Sequence, residues 1–340
     1  MGQEAVTSAL PAGSTPSAIV SYLEQYVVGQ DEAKKTLAVA VYAHYRKVGR
    51  ERGATTTTTK SNVLLIGPTG TGKTLLCETL SRIVQVPFVT ADAPSLAQTE
   101  YVGDEIEAML ERLIEKADGD LARARRGIVF IDEVDKLKAI SNQARGASGE
   151  AVQNALLKIM EGAPVKLRDG RYIDTTDVLF ICGGAFVGLD QILTRSHSFG
   201  FIATSEDDNQ RILDRLNARV KPTDLFEFGL IPEFAGRLPV VTRLCELTRD
   251  MLIRILTEPR DAICGQYQEL FRAEGVELVV EPLVFAQIAD LAVEYKIGAR
   301  SLRGIFEEMI TPALYVVPDR KDIRKVVFHS LFEDADFVCG

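Results

Sequence analysis

Gly67-Pro68-Thr69-Gly70-Thr71-Gly72-Lys73-Thr74 is the stretch from which the fold is read, because of what flanks it. Upstream, Asn62-Val63-Leu64-Leu65-Ile66 is short and apolar, as a buried strand is. Downstream, Leu75, Leu76, Thr79, Leu80 and Ile83 recur at helical spacing. A strand, a glycine-rich turn and a helix in that order are the context of a phosphate-binding loop. Glycines let backbone N–H groups curl around phosphate oxygens, and the helix turns its positive dipole end towards them. In such a loop Lys73 reaches the β and γ phosphates of ATP, and the Thr74 hydroxyl holds Mg2+. Gly67, Pro68, Thr69, Gly70, Thr71, Gly72, Lys73, Thr74 and Leu75 are the expected nucleotide-binding run.

The 340 residues are 46% hydrophobic and 26% charged, enough apolar content for a sizeable core divided between two domains. A net charge of −9 disfavours nucleic-acid binding through a basic surface. The five cysteines (Cys77, Cys182, Cys245, Cys264 and Cys339) are scattered, with no Cys-x-x-Cys pair. Reduced thiols in a cytoplasmic protein are expected, not a disulfide frame and not a zinc site. No apolar run approaches the roughly 18 residues of a membrane span, and no signal-peptide pattern is seen, so no membrane partner is expected.

Residues 1–14 read as a flexible lead-in, and Thr15-Pro16 as a helix start with Thr as cap and Pro in the first turn. After Gly29 a second helix aligns Ala33, Leu37, Ala40, Val41, His44 and Val48, which makes His44 a packed boundary histidine. The five threonines 55–59 read as a surface loop. Strands are expected at 87–90, 127–133, 177–182 and 240–244, helices at 105–116 and 149–161, and a hairpin over 165–173. From Thr248 the pattern becomes helix, helix ending at Gly275, strand, two helices and a last strand at 325–328. The expected fold class is α/β: a P-loop large domain over 15–245, its parallel sheet flanked by helices, then a smaller α+β domain over 246–340.

Hydrolysis of a nucleoside triphosphate needs an in-line water, a metal on the phosphates and donors for the charge of the transition state. The run Gly127-Ile128-Val129-Phe130-Ile131-Asp132-Glu133 delivers two acids to the C-terminal end of a strand, where open α/β sheets place ligands. There Asp132 supports Mg2+ and Glu133 is the candidate to orient and deprotonate water. Arg237, in a tight stretch from Gly229, and Arg300, after Gly298-Ala299, are each open to two readings. One is a surface ion pair, the other a planar cation aimed at a γ-phosphate.

The phosphate loop, Tyr101-Val102-Gly103, Ile131-Asp132-Glu133-Val134-Asp135-Lys136, Ser148-Gly149-Glu150, the run 180–186, the run 229–237 and Gly298-Ala299-Arg300 together resemble the ClpX family of AAA+ protein unfoldases. The resemblance covers nearly the whole chain and keeps the family's motif order. It implies an ATP- and Mg2+-dependent unfoldase and translocase, a homo-hexameric ring that threads protein substrates through its pore into a ClpP-type peptidase. On it, Arg237 would be an arginine finger acting on the neighbour's ATP, and Arg300 the sensor reporting nucleotide state to the small domain. Val27 and Val28, with Gly29 and Gln30, would flank the adenine. Tyr101 and Val102 would sit on a pore loop that grips polypeptide, with Ser148 to Glu150 on a second. Phe199, Gly200 and Phe201 align with the peptidase-docking tripeptide.

The sequence departs from that family in four places. The paired Cys-x-x-Cys motifs of its N-terminal zinc-binding domain are not found, and Glu100 stands where the pore motif has glycine. The entrance loop bearing Arg-Lys-His is replaced by the short 165–173 hairpin, with Lys166, Arg168 and Arg171. The docking tripeptide, aliphatic-Gly-Phe in the family, begins here with phenylalanine. A remodeller that works without a peptidase, or a nucleic-acid motor of the same fold, are the rival readings; the acidic balance and the aromatic pore residue speak against the motor.

Overall fold

A computed structural model describes residues 14–48, 60–98, 101–139, 148–197, 219–295 and 298–340. Within them the chain forms two compact units. One draws on Met1–Ile19, Glu32–Gly67 and Cys77–Leu244, the other on Val20–Asp31, Pro68–Leu76 and Cys245–Gly340.

The first unit is built on a five-stranded parallel sheet of β1 (Val63–Ile66), β2 (Phe88–Asp92), β3 (Ile128–Asp132), β6 (Leu179–Gly184) and β7 (Val240–Arg243), in the order β2-β3-β6-β1-β7. β1 and β3 are apolar without alternation because helices cover both faces. The helices Val102–Glu115 and Gly149–Glu161 turn Ile106, Met109, Leu110, Leu113, Val152, Leu156 and Ile159 into the core shared with Val129, Ile131 and Phe180. The expected helix start Thr15-Pro16 is realised in Pro16–Glu24, where the Ala18 N–H donates to the Thr15 hydroxyl at 3.2 Å.

β6 runs two residues past the expected strand end. Gly183 and Gly184 stay in the sheet, paired with Leu65 and Ile66. A Cβ on Gly183 would lie 2.7 Å from the Phe130 ring, and one on Gly184 2.3 Å from the Asp135 carboxylate. Glycine, which usually weakens a strand, is here what lets the strand continue. The expected hairpin forms from β4 (Pro164–Lys166) and β5 (Tyr172–Asp174), with Val165 opposite Ile173 and Gly170 at a positive φ in the turn.

The second unit packs the helices Arg249–Thr257, Ile263–Ala273, Pro282–Glu294 and Arg300–Val316 on a small sheet, β10-β9-β8. In it β8 (Glu277–Val280) and β9 (Ile323–Phe328) are parallel, and β10 (Asp336–Cys339) is antiparallel to β9. Leu252, Leu256, Phe271, Ile288, Leu302, Phe306, Ile310 and Val326 form its core. The residues of β10 are all exposed, and the strand has no apolar alternation for sequence reading to find. All five cysteines are free thiols. No helix among the described residues is long and apolar enough to cross a membrane.

His44 is buried on the helix Asp31–Val48, its Nε2 3.0 Å from the Asp177 carbonyl. A carbonyl can only accept, so Nε2 carries the proton and the neutral ring donates. Burial holds this ring down to about 4 from the usual 6.5. The unfolded chain therefore binds a proton below pH 6.5 that the native state refuses until pH 4. The stability His44 lends is whole above pH 6.5 and is lost as pH falls through 4. Between pH 7 and 5 this amounts to about 2 kcal/mol. Urea unfolding at the two pH values should show a loss smaller by about that amount in His44→Gln, which keeps a donor and cannot titrate. Equal losses in parent and variant would disprove the assignment.

Candidate functional site

In the second unit, the phosphate loop takes its conformation from glycines at the two positions that demand them. Gly70 and Gly72 have φ of +81° and +96°, left-handed values that side chains resist. The Thr71 hydroxyl donates to the Pro68 carbonyl at 2.8 Å, and the Lys73 ammonium donates to the same carbonyl at 3.0 Å. The lysine thus curls over its own loop and is only 7% exposed. Lys73 also opens the helix Lys73–Val84, whose N-terminal end turns its positive dipole towards the loop. Leu75, on the outer side of that first turn, is exposed.

Gly298 lies against this loop from the C-terminal part of the same unit. A Cβ there would be 3.2 Å from the Thr69 carbonyl and 3.3 Å from that of Gly70, and the Ala299 N–H donates to the Gly70 carbonyl at 3.3 Å. Arg300 follows at once and begins its helix, exposed. Val27 and Val28 are buried, and the chain then turns at Gly29, where a Cβ would meet the Met251 methyl at 2.2 Å.

In the first unit, Asp132 ends β3 and Glu133 leaves it at φ +59°. That conformation costs a non-glycine residue about 1–2 kcal/mol and is held here by a specific bond. The Glu133 N–H donates to Asp132 Oδ1 at 2.9 Å. Beside it, the bare Gly183 leaves room for the Asp132 carboxylate, which would be 3.3 Å from a Cβ there. Lys136 Nζ donates to Glu133 Oε2 at 2.5 Å, and that bond raises the lysine above its usual value. Asp135 is buried and accepts from the Phe186 N–H at 3.1 Å, bracing the strand end from below.

Arg237 stands elsewhere. Its carbonyl accepts from Asn62 Nδ2 at 3.2 Å, and its guanidinium pairs with Glu161. Asn62 immediately precedes β1 and Arg237 precedes β7, so both lie at the N-terminal edge of the parallel sheet, whereas Asp132 and Glu133 lie at its C-terminal edge. A four-residue strand, about 13 Å, separates the two edges. The turn bearing Arg237 is also secured at Ile231, whose N–H donates to Oε1 of the buried Gln153 at 2.9 Å.

Tyr101 is 69% exposed at the start of the helix Val102–Glu115, while its neighbour Val102 is turned into the core. The hairpin reaches this corner, with Arg168 Nη2 3.5 Å from the Asp104 carbonyl. Phe199, Gly200 and Phe201, like Glu100, lie outside the described residues. Asn62, Gln153 and Asp135 escaped the sequence reading as supports. Only their polarity within apolar surroundings could have marked them.

The oxygen donors expected for a metal, the Thr74 hydroxyl and the Asp132 carboxylate, are the hard ligands that suit Mg2+. The chain matches two family profiles, the AAA domain (Cdc48 subfamily) over residues 58–241 and the C-terminal, D2-small domain of ClpB protein over 247–327. It is 46% identical to the ATP-dependent Clp protease ATP-binding subunit ClpX 3 of Methylococcus capsulatus, an alignment covering 96% of this chain and 80% of the relative. It is 44% identical to the ATP-dependent Clp protease ATP-binding subunit ClpX of Treponema denticola, covering 93% and 80%.

Proposed function

The chain belongs to the ClpX family of AAA ATPases, and from that premise we propose that it is the ATP-hydrolysing unfoldase subunit of a Clp-type protease. The observation that carries the reading is the phosphate loop itself, with left-handed Gly70 and Gly72 opening a helix on whose first residue Lys73 curls back over the loop. The proposed arrangement is a large ATPase domain over 15–245 and a small domain over 246–340, a division supported by the two profiles that meet between 241 and 247.

The run Gly67 to Leu75 binds the phosphates through its backbone, Lys73 neutralises the β and γ oxygens, and Arg300 senses the γ-phosphate. Val27 and Val28 supply an apolar seat for the base. Thr74 and Asp132 would hold Mg2+, which when bound neutralises the phosphate charge. Glu133 takes the proton of the attacking water. Its backbone is held by the bond from its N–H to Asp132 Oδ1, and its carboxylate accepts from Lys136. Arg237 is assigned to the ATP of a neighbouring subunit, a role its place at the far edge of its own sheet favours.

A ring of identical subunits, a hexamer, would bring that arginine to the next subunit's ATP. Tyr101 and Val102 form the proposed pore loop, in which the exposed ring grips polypeptide by packing and the buried valine roots the loop. Residues 199–201 are proposed to dock a ClpP-type peptidase. A reducing compartment such as the cytoplasm fits five free thiols, two of them exposed.

The deciding experiment follows the fluorescence of a stably folded fluorescent protein that bears an unstructured C-terminal tag. With ATP the signal should fall, and with ADP it should hold. Brisk ATP hydrolysis with unchanged fluorescence would sink the unfoldase reading.

A further inference from the structure

Gln30 makes more specific contacts than a residue that merely lines a base pocket needs to make. It is 5% exposed and has φ +61°, directly after Gly29 at +65°, so two consecutive residues are left-handed and only one of them is glycine. Non-glycine residues persist in that region where their side chain is fully engaged. The Gln30 amide is engaged on both its atoms. Nε2 donates to the Cys245 carbonyl at 2.9 Å and Oε1 accepts from the Cys245 N–H at 2.9 Å, the paired bonds one strand residue makes with another. The Cys245 thiol adds a longer contact to Oε1 at 3.4 Å. Nε2 also reaches the Thr71 carbonyl, in the middle of the phosphate loop, at 3.5 Å.

One primary amide therefore touches two stretches that the chain order keeps far apart. The first is the phosphate loop. The second is the segment 244–248, which carries the chain from β7 into the helix Arg249–Thr257. An amide with one carbonyl acceptor and two N–H donors can satisfy Cys245 completely and still offer a proton to Thr71. When phosphate draws the loop N–H groups towards itself, the peptide planes rotate and the Thr71 carbonyl moves with them. A shift at that carbonyl changes the load on Nε2, and through it the pairing with Cys245.

We propose that Gln30 is a positioning residue that couples occupancy of the phosphate loop to the conformation of the segment 244–248. The inference rests on the nucleotide-binding reading given above, but adds a residue and a route that the phosphate contacts alone do not contain. Gln30 works through Thr71 and Cys245 and touches no phosphate.

The test is amide hydrogen exchange on the intact chain, with and without ADP and Mg2+. The variants are Gln30→Gly, which keeps the left-handed backbone without its side chain, and Gln30→Glu, which keeps the shape but loses the N–H donors. In the parent, ADP should slow exchange over 67–76 and change it over 244–248. With ADP raised until it saturates each variant, 67–76 should be protected while the response at 244–248 disappears; the Cys245 amide should exchange about tenfold faster in Gln30→Gly, which lacks its acceptor, and stay protected in Gln30→Glu, whose carboxylate still accepts it. Loss of protection at both places would make Gln30 a nucleotide contact, and a response at 244–248 that survives both substitutions would show that the route lies elsewhere. Either result overturns the proposal, as does a parent whose 244–248 segment ignores ADP. A parent whose loop ignores ADP would instead bring down the nucleotide-binding reading beneath it.

Discussion

Glu133→Gln is expected to lower ATP turnover about a thousandfold, within the range that removal of a positioned general base produces. Nucleotide affinity should stay within a few-fold of the parent. The substitution keeps size and hydrogen-bonding reach, and the left-handed backbone at Glu133 is maintained by its own N–H on Asp132 Oδ1, which the change does not touch. What it removes is the site that accepts a proton. It also removes the charge facing Lys136, but that pair is exposed and lends little to the fold. The measurements are steady-state ATP hydrolysis and titration with a fluorescent ADP analogue. Turnover within tenfold of the parent would mean that another group activates water.

Arg237→Ala should cut turnover by about as much, because an arginine that stabilises the transferring phosphoryl group is worth roughly a thousandfold or more. The informative result lies in mixing. Glu133→Gln subunits retain Arg237, and Arg237→Ala subunits retain Glu133. If the guanidinium acts on a neighbour's ATP, co-assembled mixtures of the two dead proteins regain activity at about one interface in four by random arrangement. If it acts within its own subunit, every site in the mixture lacks one group and nothing returns. The structure favours recovery, since Arg237 and Glu133 stand at opposite edges of one parallel sheet. Removing Arg237 also frees Glu161 from its ion pair, so the fold of the variant should be checked by its melting curve.

Much of this was legible in the residues. Strand, glycine turn and helix around Lys73 obey local rules, and the helix expected over about 149–161 is Gly149–Glu161, begun by the Ser148 cap and ended at Gly162. The apolar run into Asp132-Glu133 put the acids at the end of a strand because a strand covered on both faces stays apolar until it leaves the sheet. What stayed hidden depended on neighbours distant in sequence. Gly183 and Gly184 look like a strand's end, and only Phe130 and Asp135 across the sheet explain why the strand needs them. Gln30 looks like part of a turn until Cys245, 215 positions away, is found on its amide. The edge on which Arg237 sits follows from β7 running parallel to β1, which spacing along the chain does not encode.

The second unit is assembled from Val20–Asp31, Pro68–Leu76 and Cys245–Gly340, three stretches far apart in the chain. During synthesis the phosphate loop leaves the ribosome early, yet Gly298, Ala299 and Cys245, which hold that loop and the Gln30 turn, emerge after most of the first unit has been made. Contacts of such long sequence separation form late. A nascent subunit can therefore complete its sheet while its loop still lacks these supports.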